Sequence, residues 1–317
     1  MPESVRYDVI IIGAGPAGLS ASVSAHQHQL NALTLEKGNL ANTLDYYYQR
    51  GKYVMSQPAI IPLRSGLPFE AGSREAVLAA WQAVATEQEL NIHFDEAVQE
   101  VLKTDGYFSV TTAQDSYTAD NVILAIGKLG NPRRLGIPGE ELTHVADRLV
   151  NPQDHIDQDI VVIGGGDSAA EVALALADHN RVSMVYRGGD FYRMNDSLRA
   201  QILDKTERKE LSVYFSADPE RIDPDSLHIG LPEQQLQIPA DWICVKIGAE
   251  IPRQFLERCG VTFASTDAAA LPEISPHYES QLPGLYLVGS MNGQDLIKHG
   301  LNQGYEVSTE ISARQCD

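Results

Sequence analysis

Two short loops in this 317-residue sequence have the residue types and spacing to hold a phosphate. The first runs Gly13, Gly15, Pro16, Ala17, Gly18; the second has Gly164, Gly166 and Ala169 at the same offsets. Each position has a chemical reason. The first glycine permits a tight turn, and the second lets the backbone approach a pyrophosphate. The third residue must be small so that the helix packs on the strand. Phosphates then meet a helix N-terminus, where free N–H groups and the dipole favour anions. One such loop is a weak signal, because an ordinary Gly-rich strand–helix turn also matches it. Here both loops follow a β-branched run and open a small-residue helix, which implies two dinucleotides.

The residue that ends each second strand distinguishes the two. Glu36 lies 23 positions after Gly13, and a carboxylate there can accept both ribose hydroxyls, as FAD or NAD requires. Arg187 lies 23 positions after Gly164, with the charge reversed. An arginine there suits a 2′-phosphate and points to NADPH, with NADH as the other donor possible and Arg193 able to join the clamp. The alternative is that Arg187 is a solvated loop residue, and Asp190 nearby competes for it.

The elements that must position these loops are legible from periodicity. "YDVIIIGAGPAGLSASVSAHQ" reads as strand, turn, helix, and "NALTLEK" as the next strand of a parallel βαβ unit. Residues 39–70 read as irregular. "SREAVLAAWQAVATEQEL" is an amphipathic helix with Ser73 as N-cap. "NIHFDEAVQEVLKTDGYFSVTTAQDSYTADNVILAIG" reads as an antiparallel meander returning to a buried strand. After "KLGNPRRLGIPGEE", dense in Gly, Pro and charge, the βαβ pattern recurs. A second crossing, "IGAEIPRQ", leads back to a strand, "GLYLVGS", and a helix over "GLNQGYEVSTEISARQ". The expected architecture is α/β, with two Rossmann-like dinucleotide-binding domains, one inserted into the other. The division falls at 1–129 with 252–317 for the outer domain and 130–251 for the inserted one.

Composition limits the partners. The net charge is -19, so a nucleic-acid or anionic-membrane surface is not expected. No segment is apolar and long enough to span a bilayer, and the N-terminal apolar run reads as a strand rather than a signal peptide. Cys244, Cys259 and Cys316 are dispersed and form no C-x-x-C, which fits a reducing cytoplasm. The nine histidines show no metal-ligand spacing, and His26 and His28 on an early helix do not share a face. No metal is expected.

With both loops placed, the chain resembles the low-molecular-weight thioredoxin reductase family of flavoproteins over nearly its whole length. "VIIIGAGPAGLSA" is similar to the family's FAD loop and "NVILAIGKLGNPRRLGIPGEE" to its first crossing. "VVIGGGDSAAEVAL" resembles its NADPH loop, "WICVKIGAEIP" its second crossing, and "GLYLVGS" with "NQG" its second FAD contact. The resemblance implies a FAD domain split by the NAD(P)H domain, and a homodimer. By position, Gly13, Gly15, Pro16, Ala17, Gly18, Glu36, Lys37, Val98, Gly127, Gly289, Ser290 and Gln303 would serve FAD. Gly164, Gly166, Ser168, Ala169, Glu171, Arg187 and Arg193 would face NADPH. Lys298 and His299 precede the helix expected near the flavin. Either could stabilise charge on the ring or relay a proton; the alternative is a pair of exposed polar residues. Of Tyr46, Tyr47 and Tyr48, at most two can face a flavin or a dimer contact.

The departures from the family decide the expected function. The family's Cys-x-x-Cys should precede the second glycine loop, and "LTHVADRLVNPQDHIDQ" (142–158) contains no cysteine. Ala17 stands where related bacillithiol-disulfide reductases carry a cysteine. The usual Gly-Asp is Gly289-Ser290, and the usual His-Arg-Arg is Tyr186-Arg187-Gly188. Two stretches, "GKYVMSQPAIIPLRSGLPFEAGSREAVL" and "NQGYEV", also resemble cysteine-less relatives that are sometimes fused to iron–sulfur modules. The expectation is a FAD-dependent NAD(P)H oxidoreductase. Hydride passes from NADPH to flavin, and electrons go directly to an external acceptor without a thiol relay. That acceptor is a ferredoxin, an iron–sulfur partner or a small molecule, and Arg133 with Arg134 could form a docking patch. The alternatives are a low-molecular-weight disulfide reductase and a non-enzymatic redox sensor. Cys316 reads as part of an inert tail.

Overall fold

A computed structural model describes residues 5–56, 58–104 and 106–315. The opening β-branched run forms β1 (Arg6–Ile12), and the small residues after Gly15 form α1 (Pro16–Gln27). Pro16 sits in the first turn, where no intrahelical N–H is needed. β2 (Ala32–Leu35) pairs parallel to β1. There follow α2 (Asn42–Tyr47), a small hairpin of β3 (Tyr53–Val54) and β4 (Gly72–Ser73), and α3 (Arg74–Glu87). Next come β5 (Ile92–His93), β6 (Val98–Thr104), β7 (Tyr107–Thr112) and β8 (Ser116–Leu124).

The inserted part holds β9 (Val145–Ala146), β10 (Asp159–Ile163), α4 (Asp167–Ala177), β11 (Arg181–Tyr186), α5 (Asp196–Glu207) and β12 (Leu211–Phe215). Three antiparallel strands follow: β13 (Asp218–Asp223), β14 (Ser226–Leu231) and β15 (Gln234–Pro239). β16 (Trp242–Val245) closes this part, and α6 (Arg253–Arg258), β17 (Leu285–Leu287) and α7 (Ile297–Gln315) complete the chain.

The chain divides into two units. One takes the chain up to Tyr46, Gly51–Asn131 and the stretch from Glu250 onward; the other takes Pro132–Ala249 with Tyr47–Arg50. In unit one the sheet order is β5-β2-β1-β8-β7-β6, with β17 also on β8. Strand alternation sorts its core. Ile10 and Ile12 pack with Leu33, Leu35 and Phe108 on one face. Val9 and Ile11 pack with Ala17 and Ala21 of α1 and Val307 and Ile311 of α7 on the other. In unit two the order is β12-β11-β10-β16-β9, all parallel. Ile160 and Val162 face α4, while Val161 and Ile163 face Ile222, Leu227 and Ile229 of the antiparallel sheet. Both units are Rossmann-like α/β bodies, as the two βαβ patterns imply.

Four local expectations need correction. Ile92–His93 is not part of the meander; it pairs parallel with β2 as an edge strand, because the four residues after α3 suffice for that return. Residues 39–70 contain α2, a six-residue helix too short to show a period. His28 is the C-cap of α1 rather than a helical residue. α7 begins at Ile297, so Lys298 and His299 lie in its first turn. Gly300 lies where the last helix packs closely, since a Cβ there would lie 3.4 Å from that of Ala17.

Candidate functional site

The first glycine loop is shaped by two constraints that differ in kind. Gly13 has φ +102, and a Cβ on it would stand 2.7 Å from the Ala125 carbonyl oxygen. A Cβ on Gly18 would stand 1.8 Å from the Gly13 oxygen. These two are small for the protein's own packing. At Gly15 the nearest atom to an added Cβ is Thr43 Oγ1, at 3.8 Å. That space is open, as a ligand-approach position requires. Gly15 is also the N-cap of α1 and offers no side-chain cap. By contrast, α3 and α5 are capped: Ser73 Oγ accepts from Ala76 N and Asn195 Oδ1 from Leu198 N. The helix that opens at the loop therefore presents its first N–H groups without a side-chain acceptor.

Glu36 follows β2 and is buried. Its Oε2 accepts from Ala14 N at 2.7 Å and its Oε1 from Gly38 N at 2.8 Å. The carboxylate thus ties the glycine loop to the strand end, and each oxygen retains a lone pair for a hydroxyl. Lys37 beside it is exposed, and Val98 begins β6 half-buried against the core. The sequence reading missed Glu96. It is buried and accepts from Thr112 Oγ1 (2.9 Å) and Tyr117 Oη (2.8 Å), with His93 Nδ1 at 3.0 Å. Its backbone N–H donates to the Glu36 carbonyl at 2.9 Å, so it braces the end of β2. Its neighbours in the sequence, Asp95 and Ala97, give no sign of that burial. Burial and the Glu96 carboxylate push the Tyr117 phenol well above its ordinary range.

The other candidates of unit one converge on the same end of α1. A Cβ on Gly127 would lie 3.6 Å from Ser290 Oγ, and one on Gly289 would lie 3.4 Å from Ala17 Cβ. Gln303 is buried; its Oε1 accepts from Gly289 N at 2.6 Å and its Nε2 donates to Gln294 Oε1 at 2.8 Å. Its amide therefore holds the Gly289 turn. Lys298 and His299 separate in role. Lys298 is buried, and its Nζ donates to the Pro58 carbonyl at 3.1 Å. His299 Nδ1 is buried with no hydrogen-bond partner among the described residues. Tyr46 belongs to unit one, whereas Tyr47 and Tyr48 belong to unit two.

The second loop repeats the pattern. A Cβ on Gly164 would stand 2.3 Å from the Lys246 carbonyl oxygen, while one on Gly166 would meet nothing within 4 Å. Gly166 caps α4 without a side-chain bond, and Ala169 is buried. Ser168 is exposed in the first turn and Glu171 is half-buried. Arg187 follows β11 and is exposed; the Arg193 backbone pairs with that of Gly166. Asp190 does not compete for either: its Oδ2 takes Arg199 Nη2 at 2.6 Å and its Oδ1 accepts from Phe191 N. Arg187 and Arg193 make no ion pair among the described residues.

No thiol stands ready for relay among the described residues. Cys244 is buried in β16 and Cys259 at the end of α6, and burial pushes each thiol up to about 12. Cys316 lies outside the described residues. The stretch 142–158 is knit into unit two instead. Ala146 pairs with Cys244, Leu149 is core, Asn151 caps a short turn, and His155 packs on Trp242 at 4.3 Å. Arg134 faces Glu141 at 3.6 Å, so that pair is not an unbalanced basic patch. Among the described residues no cluster of His, Cys, Asp or Glu could hold a metal ion, and no helix is long and apolar enough to cross a membrane.

Comparison with known proteins adds to this geometry. Residues 10–289 match the sequence model of the pyridine nucleotide-disulphide oxidoreductases. The bacilliredoxin reductase Bdr of Bacillus subtilis (strain 168) is 28% identical over 328 residues, spanning 98% of this chain and 99% of that protein. A ferredoxin–NADP reductase of Limosilactobacillus fermentum is 29% identical, spanning 90% and 85%. The bacillithiol disulfide reductase Bdr (YpdA) structure from Staphylococcus aureus has the same fold, with TM-score 0.90 at 24% identity, over 98% and 99% of the two chains.

Proposed function

Because this chain belongs to the pyridine nucleotide-disulphide oxidoreductase family and is an oxidoreductase, we propose a specific reaction for it. It is a FAD-dependent, NADPH-preferring reductase that passes electrons directly to an external acceptor. The residues present fit both groups. Gly15 and Gly166 leave open the space that a side chain would fill, at the N-termini of two helices without side-chain caps. Glu36 offers acceptors to ribose hydroxyls in unit one, and Arg187 and Arg193 offer positive charge in unit two. When bound, NADPH and FAD supply hydride transfer and a redox store. The protein binds and orients them, and His299 Nδ1 is free to hold or move a proton at the start of α7. Lys298 fixes the segment around Pro58. A cytoplasmic homodimer belongs to the same reading, on the strength of the family likeness.

The observation that carries direct transfer is the state of the cysteines. A relay needs a thiolate, and burial keeps Cys244 and Cys259 protonated. The test is a variant with Cys244, Cys259 and Cys316 all changed to Ala, measured for NADPH oxidation with ferricyanide and for FAD content. Turnover per bound FAD should equal wild type. Its loss in a folded, FAD-replete variant contradicts direct transfer.

A second reading, reduction of a low-molecular-weight disulfide, is favoured by the whole-length likeness to a bacilliredoxin reductase. In that case the disulfide is the acceptor and takes its electrons without a cysteine at position 17. Disulfides of low molecular weight and ferredoxins, assayed side by side, separate the two acceptors. The charge of -19 counts against an acidic ferredoxin.

A further inference from the structure

Beside the second glycine loop lies an aromatic pair that the two arginines do not account for. Tyr186 ends β11 and is buried beneath the loop. A Cβ on Gly165 would stand 2.5 Å from its ring, and one on Gly188 2.6 Å. Phe191 stacks on the ring at 5.9 Å and 14°, and Phe215 meets Phe191 edge-on at 4.8 Å. Tyr186 is therefore fixed by glycines and aromatics together. Tyr192 approaches it at 6.0 Å and 44° but is itself 66% exposed. The Arg193 guanidinium lies 5.7 Å from the Tyr192 ring centroid, and the Arg193 backbone pairs with Gly166.

The two phenols are polarised in opposite directions. Burial and the contact with Tyr192 raise the Tyr186 pKa. The contact with Tyr186, then the charges of Arg193 and Arg187, lower that of Tyr192. Tyr192 packs on the fixed Tyr186 ring and stays open to solvent beside Arg193, so its O–H can donate to a ligand at the loop. Two cations and an outward hydroxyl donor suit a phosphate monoester. A ribose diol needs an acceptor instead, as Glu36 provides in unit one.

We propose that Tyr192 determines specificity in the pyridine-nucleotide site by donating a hydrogen bond to the 2′-phosphate of NADPH. Tyr186 is the positioning residue that holds it there. This rests on the NADPH reading above and adds a residue to it. The experiment is calorimetric binding of 2′,5′-ADP and of 5′-AMP to the FAD-loaded protein, together with kcat/KM for NADPH and NADH. Wild type should bind 2′,5′-ADP more tightly. Tyr192→Phe keeps the ring, and should weaken 2′,5′-ADP about tenfold while leaving 5′-AMP unchanged, as loss of one hydrogen bond to a charged group implies. The NADPH/NADH ratio should fall by a similar factor. Tyr186→Phe should shift both readouts in the same direction but less. If wild type discriminates and Tyr192→Phe discriminates equally, the role of Tyr192 is refuted and the NADPH reading stands. If wild type binds both probes alike, the NADPH reading falls and the proposal with it.

Discussion

A side chain at position 15 would meet only Thr43 Oγ1, at 3.8 Å, whereas one at position 18 would run into the Gly13 oxygen at 1.8 Å. Two glycines of one motif thus have different duties, and substitution separates them. Gly15→Val should fold with a near-normal far-UV spectrum yet purify colourless, because only the ligand loses its space. Gly18→Val should lose stability, by about 1–3 kcal/mol or more, as overpacking does. Full retention of FAD by Gly15→Val would contradict the role given to that position. In the second unit, Arg187→Glu should lower NADPH efficiency about ten- to a hundredfold, from roughly 1.5–3 kcal/mol of lost charge-assisted bonding, with NADH much less affected. Equal losses would remove the 2′-phosphate role. For the thiols the sign is plain: with pKa values of about 12, Cys244 and Cys259 are thiolate only above that pH. In a Cys316→Ala background at pH 8 about one in ten thousand of either thiol is ionised, so iodoacetamide should label neither until the protein is denatured. The places of Glu36 and Arg187 just after β2 and β11 are legible because a strand of fixed length sets their offset from the loop. The bonds of Glu96 and the ring contacts of Tyr192 are not, because they depend on partners distant in sequence or on which way an exposed ring faces.

Helices α1 and α7 are legible in the sequence, but their crossing is not. A Cβ on Gly304 would stand 2.1 Å from the Ala17 oxygen, so the two helices cross where neither can carry bulk. In sequence such glycines name no partner, and only the crossing explains them. The α7 face that meets the preceding segment is held at three successive turns. Lys298 bonds to Pro58 O, Asn302 to Pro62 O and Arg64 N, and Glu306 pairs with Arg64 at 2.7 Å. Gly304→Val should separate the helices, lower the Tm and reduce FAD content together, and a melt followed by both ellipticity and flavin fluorescence checks this. An unchanged Tm would mean that the crossing bears little load. The strands were easier to read. β1 and β10 are β-branched runs buried on both faces, and such runs sit in parallel sheets. The edge strand β5, two residues long, carries no period and was absorbed into the meander.

The molecule as a whole combines two Rossmann-like units, a net charge of -19 and, among the described residues, buried thiols. Thioredoxin should not be reduced at a useful rate, since the sequence contains no C-x-x-C pair to exchange with it. The central claim is that flavin is the only redox store in the chain. Anaerobic titration of the purified protein with NADPH, followed by absorbance, counts that store directly. A flavin alone takes up two electrons, whereas a flavin with a dithiol takes up four. Full bleaching of the flavin is expected at about one equivalent of NADPH per FAD, with no further NADPH consumed. Consumption of about two equivalents, with the second taken up without added acceptor, would reveal a thiol pair in the relay and contradict it.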